Sequence, residues 1–212
     1  MKIDWFFLNY NKLPALGVAP VPAFKTITHN FVEDTEIPRC PAITGYFKNT
    51  WLITSPVDIT FQYKDNVLRT NSPYIIARPQ RDTNMLTIPL NYLFVCDESV
   101  MIESLPAFMH RTPAQTDLAL IPGTFDIGQW TRTVDYTAQI LTDKIITIRA
   151  GDPLWYIRFV TDQRVELNEI TDASKQDDLT KLVVKSANYK VTNPGNSLQA
   201  LYTMAKDWRQ YS

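Results

Sequence analysis

His29 and His110 are the only two imidazoles in the chain. A mononuclear iron site of the facial-triad kind needs two or three imidazoles and a carboxylate, usually opening as H-x-D/E or H-x-H. His29 is followed by Asn30-Phe31 and His110 by Arg111-Thr112, so neither opening is present. A metal centre would need both rings and a carboxylate distant in sequence. In alternation with Ile27 and Phe31, His29 reads as an interior strand residue. His110, between Met109 and Arg111, reads as a residue near a loop. No metal or cofactor is expected.

The other chemistry-bearing patterns are incomplete. Gly123 and Gly128 have the outer spacing of a phosphate-binding loop, but Gln129 stands where a lysine must reach the phosphates. The six glycines include no G-x-G-x-x-G run. No G-x-S-x-G elbow is present, and Cys40 and Cys96 belong to no C-x-x-C pair. They read as two buried free thiols, and Cys40-Pro41 as a helix start. The acidic pairs Asp97-Glu98, at a hairpin turn, and Asp177-Asp178 read as solvated charges. No catalytic residue is assigned.

Binding chemistry has more support. Trp130 and Arg132 alternate as on one strand, and Trp155 and Tyr156 lie close to Arg158. Arg78, Arg81 and Arg111 flank loops. Aromatic planes beside guanidinium groups can hold a sugar, a nucleotide or a single strand of nucleic acid. Asp126, Trp130, Arg132, His29, His110 and Arg111 are therefore the candidate binding residues. With 21 basic and 22 acidic residues the net charge is -1, which excludes strong nucleic-acid binding through bulk charge.

These residues need a scaffold, and the chain has the composition for one. Of 212 residues, 45% are hydrophobic and 20% charged, the balance of an ordinary globular domain. Val57, Ile59, Phe61 and Tyr63 alternate with polar residues, as do Val134, Tyr136, Ala138 and Ile140. Trp155, Ile157 and Phe159 repeat the period of two, which places one face of a strand on a core. Further strands are expected at 2–8, 25–32, 51–55, 74–78, 86–96, 100–104 and 144–149. Turn residues such as Asp65-Asn66, Pro122-Gly123 and Gly151-Asp152-Pro153 separate them. Many short strands without intervening helical patterns predict a mainly β fold, an antiparallel sandwich or jelly roll resembling a double-stranded β-helix.

Helices are expected at 41–49, at 175–187 through Leu179, Leu182 and Val183, and at the C-terminus. There Ser197 can cap a stripe of Leu198, Leu201, Tyr202, Ala205 and Trp208. The polar stretch from Glu166 to Asp178 suggests a division into a β domain, 1–165, and a helical appendage, 166–212, packed on it as one compact unit. The last helix could also join copies into a homo-oligomer. No apolar run reaches the ~18 residues of a membrane span. The start, Met1 to Leu8, lacks the pattern of a signal peptide, and no N-x-[ST] sequon occurs. The expected setting is intracellular, in a bacterial or phage-infected cytoplasm, or on a virion.

Two stretches carry a resemblance. One runs from Cys40-Pro-Ala-Ile-Thr-Gly-Tyr-Phe-Lys-Asn-Thr-Trp-Leu-Ile to Ser55-Pro-Val-Asp-Ile. The other runs from Ile121-Pro-Gly-Thr-Phe-Asp-Ile-Gly-Gln-Trp-Thr-Arg to Gly151-Asp-Pro-Leu-Trp-Tyr-Ile-Arg-Phe. Together, over about 40–165, they resemble a family of small uncharacterised proteins of phage and marine bacterial genomes, which implies no assigned activity. The second stretch is also distantly similar to the β-rolls of trimeric dUTPases and dCTP deaminases. That resemblance implies a uracil-site carboxylate at Asp126 and a turn at Gly151-Asp152. The Ala-Gly-Tyr-Asp-Leu motif, the Arg-Ser-Gly phosphate motif and the Gly-rich tail of dUTPases are absent.

The sequence thus favours a non-catalytic binding or assembly protein with a small-molecule or sugar ligand, no membrane partner and a phage association. The alternative is an enzyme on the same scaffold, either a cupin-like metal-dependent oxygenase or a nucleotide hydrolase.

Overall fold

The computed structural model describes residues 1–8, 17–30, 40–70, 72–73, 76–77, 84–193, 195 and 197–210; side chains are not described at 28–30, 76–77, 198 and 206–210. Among the described residues the fold is mainly β, with several antiparallel sheets and a helical C-terminal end. The elements are β1 (Lys2–Phe7), β2 (Val21–Pro22), α1 (Ala23–Asn30), α2 (Pro41–Tyr46), β3 (Thr50–Thr54), β4 (Ile59–Lys64) and β5 (Val67–Thr70). They continue with β6 (Ile76–Ala77), β7 (Met85–Val95), β8 (Met101–Pro106), α3 (Pro113–Thr116), β9 (Leu118–Leu120), β10 (Gly123–Asp126) and β11 (Thr133–Ile140). The last are β12 (Ile146–Ile148), β13 (Pro153–Val160), β14 (Glu166–Glu169), α4 (Ala173–Thr192) and α5 (Leu198–Gln210).

Strands β14-β1-β7-β11-β9 form the first sheet in that order, with β6 also on β7; β10-β8-β13-β3-β2 form the second, and β12-β4-β5 a third. All pairings are antiparallel except β1 with β14, where Lys2 to Trp5 run beside Glu166 to Glu169. The inward residues of all three sheets meet in one core. Ile3, Trp5, Tyr92, Phe94 and Tyr136 come from the first, Trp51, Ile53, Trp155 and Phe159 from the second, and Ile59, Phe61 and Ile146 from the third. Trp155 is the centre of contact: its ring lies 6.2 Å from Tyr92 and 5.5 Å from Tyr136, both on the opposite sheet. Phe94 and Phe159 meet edge to face at 5.5 Å. Such pairs add to the area they remove from water.

The outer faces carry smaller clusters. Leu52 and Tyr156, on the back of the second sheet, pack under Ala23 and Ile27 of α1 and Phe47 after α2. Phe6, Leu8, Leu93 and Ile170, on the back of the first, pack under Val183 of α4. Asp172 caps α4 by accepting from the backbone N–H groups of Ser174 and Lys175. Ser197 caps α5, accepting from Ala200 N at 3.2 Å. The hairpin β4–β5 turns through Asp65 and Asn66 at φ 54° and 61°, as a tight two-residue turn requires. No helix of the described residues is long and apolar enough to cross a membrane.

Several expectations change. Residues 23–30 are helical, not a strand over 25–32, because Ala23 and Ile27, one helical turn apart, are what the second sheet buries. His29 therefore lies on α1 and shares no strand face with Ile27 and Phe31; Phe31 is outside the described residues. Trp130 and Arg132 precede β11, so they lie in the connection that follows the turn at 127–129 and not on a strand. Asp97-Glu98 lies on a link between two sheets, not in a hairpin, since β7 and β8 do not pair. Cys40 is exposed rather than buried; Cys96 is buried, and both thiols are free. Within the polar stretch, Glu166–Glu169 adds a strand to the first sheet and the helical part starts at Ala173.

The ion pair Lys175 Nζ to Asp4 Oδ2, at 2.5 Å, ties the start of α4 to β1, and Asn168 Nδ2 donates to the same carboxylate at 2.8 Å. Partial burial pushes the Asp4 carboxyl up, but the donors and charges of Lys175, Asn168 and Lys2 outweigh it and hold it below its ordinary value. A lowered folded-state value gives stability that is fully present above the unfolded value and fades as pH falls through the folded one. Asp4→Asn is expected to cost about 0.5–1 kcal/mol at pH 7, discounted for the exposed lysine, and close to nothing at pH 2. Urea unfolding of both proteins at the two pH values checks this.

Candidate functional site

Asp126 ends β10 and is 2% exposed. Its carboxylate is enclosed by donors. Oδ1 accepts from Val100 N at 3.1 Å and Gly128 N at 2.8 Å, and Oδ2 from Gln129 Nε2 at 2.7 Å and from the Ser99 hydroxyl. Its carbonyl accepts from Trp130 N at 2.9 Å. Its own N–H donates to the Tyr202 hydroxyl of α5 at 2.9 Å. A buried carboxylate is tolerated only with this degree of hydrogen bonding. Both oxygens are committed to donors of the turn and of the β7–β8 link, so the carboxylate organises structure rather than facing a ligand.

Gly128 sits at the apex of that turn. A Cβ there would lie 2.0 Å from the Glu98 carbonyl oxygen, so the turn presses against the β7–β8 link as only glycine permits. The chain leaves the turn at Trp130 and Arg132. Trp130 is 5% exposed and packs edge to face on Phe125 at 5.7 Å and beside Tyr202 at 6.2 Å. Its indole N–H is buried without a hydrogen-bond acceptor. The Arg132 guanidinium lies 4.7 Å from the Trp130 ring centroid and 5.1 Å from that of Phe125, and its Nε donates to Thr133 O at 3.2 Å. Two aromatic faces and a backbone carbonyl are thus among the partners that hold the arginine.

Opposite this turn runs α4. Between them is a cleft of about 280 Å³, with Trp130, Arg132 and Thr133 on one wall. Val183, Ser186, Ala187 and Lys190 belong to the other. The sequence identified the first wall by residue type. It did not identify the second, because α4 reads only as a packing helix and lies some fifty residues downstream.

The remaining candidates do not join this site. His110 is 8% exposed, in the 107–112 loop behind the second sheet, with its ring 5.9 Å from Tyr156. Burial lowers its imidazole below the ordinary range, which keeps it neutral at neutral pH. Arg111 beside it is exposed. The side chain of His29, and Arg78 and Arg81, lie outside the described residues. Among the described residues no three His, Cys, Asp or Glu side chains gather as a metal site would require. Trp155, Tyr156 and Arg158 separate: Trp155 fills the core, while Arg158 lies on the outer face over Tyr46 at 4.7 Å and bonds Glu103 through Nε at 2.9 Å.

Because four donors converge on Asp126, Asp126→Asn removes its charge and puts an amide N–H either against two backbone N–H groups or against a Ser99 hydroxyl and a Gln129 amide that must turn to accept it. A loss of about 3 kcal/mol in unfolding free energy is expected. Ser99→Ala removes one donor and should cost about 1 kcal/mol. Chemical denaturation of the two variants measures both; equal losses would show that the carboxylate is not the organising group.

No family model matches the chain, and no curated protein matches it. The cleft therefore has to be read from its own side chains.

Proposed function

We propose that this chain is a non-catalytic ligand-binding protein on a β-sandwich of jelly-roll type, with its ligand in the cleft between the Trp130–Arg132 turn and α4. The observation that carries this reading is the cleft itself. It joins an aromatic ring and a guanidinium, both held in place by packing, to an apolar helix face, and such mixed concave sites are where small molecules bind. The meeting of two sheets over one core supports the sandwich. The commitment of Asp126 to its own turn favours binding over the nucleotide-hydrolase alternative, since a reacting carboxylate needs an oxygen left for substrate or water. A phage-associated role follows only from the resemblance of residues 40–165.

Rigid walls suit binding, since little ordering is left to oppose it. A ligand at a hundred times its Kd adds about 2.7 kcal/mol to stability. In a chain of this size that raises Tm by roughly 5–10 °C. A thermal-shift panel of neutral sugars, nucleosides, nucleotides and small carboxylates is expected to give at least one such shift. Ala187→Trp, a substitution at an exposed helix position on the cleft wall, is expected to abolish it. No shift from any class, or a shift undiminished in Ala187→Trp, would overturn the reading.

A further inference from the structure

Two large rings stand outside the second sheet. Phe47 follows α2 and is buried in the cluster behind that sheet, which leaves its neighbour Tyr46 turned outward. Tyr46 is 39% exposed and Phe108 50%, and their rings meet edge to face at 6.0 Å. Both also pack on Phe47, at 5.3 and 5.8 Å, so neither swings freely. A single exposed apolar side chain is ordinary, but two rings held in contact form a patch.

Polar groups of both signs adjoin the patch. Arg158 of β13 and Glu103 of β8 are register partners on the outer face, since their neighbours Ile157, Phe159 and Ile102 fill the core. The guanidinium lies over the Tyr46 ring at 4.7 Å. Its Nε, at 2.9 Å, and its Nη2 both donate to Glu103 Oε2, while Nη1 and Oε1 make no hydrogen bond among the described residues. Thr124 of β10 is the register partner of Glu103 on the other side and is exposed on the same face. Beside Tyr46 a depression of about 490 Å³ opens, with Lys48, Arg158, Val160 and Asp162 in its lining. The loop at its border is fixed: Asn49 Nδ2 donates to Thr161 O at 2.9 Å and Gln163 O at 2.8 Å, and Lys48 Nζ to Asp162 O at 2.8 Å.

We infer that this outer face of the second sheet binds a neutral polysaccharide chain, with the Tyr46 and Phe108 rings as its platform. A sugar ring presents a C–H face that lies on an aromatic side chain, and hydroxyls that both donate and accept. Guanidinium, ammonium and carboxylate groups set side by side match such hydroxyls with charge-assisted bonds. A polyanion would meet Glu103 and Asp162, and a polycation Lys48 and Arg158. The row Thr124–Glu103–Arg158 crosses three neighbouring strands, about 10 Å, and ends at the Tyr46 ring. That makes a strip for a chain to follow rather than a pocket around one molecule. This surface is separate from the Trp130 cleft and does not depend on it.

Affinity electrophoresis in native gels containing dextran, hydroxyethylcellulose, xylan or galactomannan tests the inference. At least one of these neutral chains is expected to retard the protein, and alginate, which is anionic, is not. Tyr46→Ala should lower the association constant read from the retardation by about tenfold or more, while Tyr46→Phe, which keeps the ring, should retain it. Phe108→Ala, at the other exposed ring, should cause a loss of the same kind. Circular dichroism of each variant separates lost binding from lost folding. The inference fails if no neutral polysaccharide retards the protein, if alginate retards it as strongly, or if both alanine variants run as the unsubstituted protein does. A single sugar covers only part of the strip, so the thermal-shift panel judges the Trp130 cleft and the gels judge this face; either reading can fail alone.

Discussion

A single carboxylate fixes the geometry on which the cleft depends. Taking Asp126 out of water costs several kcal/mol unless its lone pairs are filled. They are filled from two directions, Ser99 and Val100 on the link between the two large sheets and Gly128 and Gln129 in its own turn, while the Asp126 backbone N–H donates to the Tyr202 hydroxyl of α5. These hydrogen bonds bring together segments that are distant in sequence. The absence of a Cβ at Gly128 lets the turn close against the Glu98 carbonyl. Where Trp130 and Arg132 emerge is therefore determined by Asp126 and not by a strand.

The second wall is positioned by different forces. α4 lies over the back of the first sheet, with Val183 packed on Phe6, Leu8, Leu93 and Ile170. Its first turn is capped by Asp172 and tied to β1 by Lys175. The parallel pairing of β14 with β1 sets where the chain can enter that helix. An apolar contact, a cap and an ion pair thus place Ser186 and Lys190 opposite Arg132. Loss of any one would shift a wall of the cleft without touching a residue in it.

Much of the scaffold was legible in the sequence because burial imposes a period of two. Val134, Tyr136, Ala138 and Ile140 all point to the core, and so do Trp155, Ile157 and Phe159. Ser197 and the Leu201–Ala205 stripe marked α5 for the same kind of reason. The alternation misled at 25–32. Thr26 and Ile27 are β-branched and favour strands, yet Ala23 and Ile27 at helical spacing cover Leu52 and Tyr156, and packing outweighed propensity. It misled again at Trp130 and Arg132, which alternate like strand residues but are placed by a capped turn. Short edge strands such as β9, β10 and β14 carry too few residues for a period to show.

The candidate site was legible only by half, and the reason is physical. A residue type such as arginine beside tryptophan advertises itself locally, but a cleft is made by two surfaces meeting. Val183, Ser186 and Lys190 have no local signature: a small buried serine on a helix and a lysine in its last turn are what packing and the helix dipole would select in any case. Nor does whole-chain charge help. The sum of -1 says only that acids and bases nearly balance over 212 residues, whereas binding responds to the imbalance within a few ångströms. Several carboxylates are committed to partners of their own: Asp126 to the donors around it, Glu103 to Arg158, and Asp4 to Lys175. The distribution of these pairings, which no composition reveals, follows from which distant segments the fold brings together.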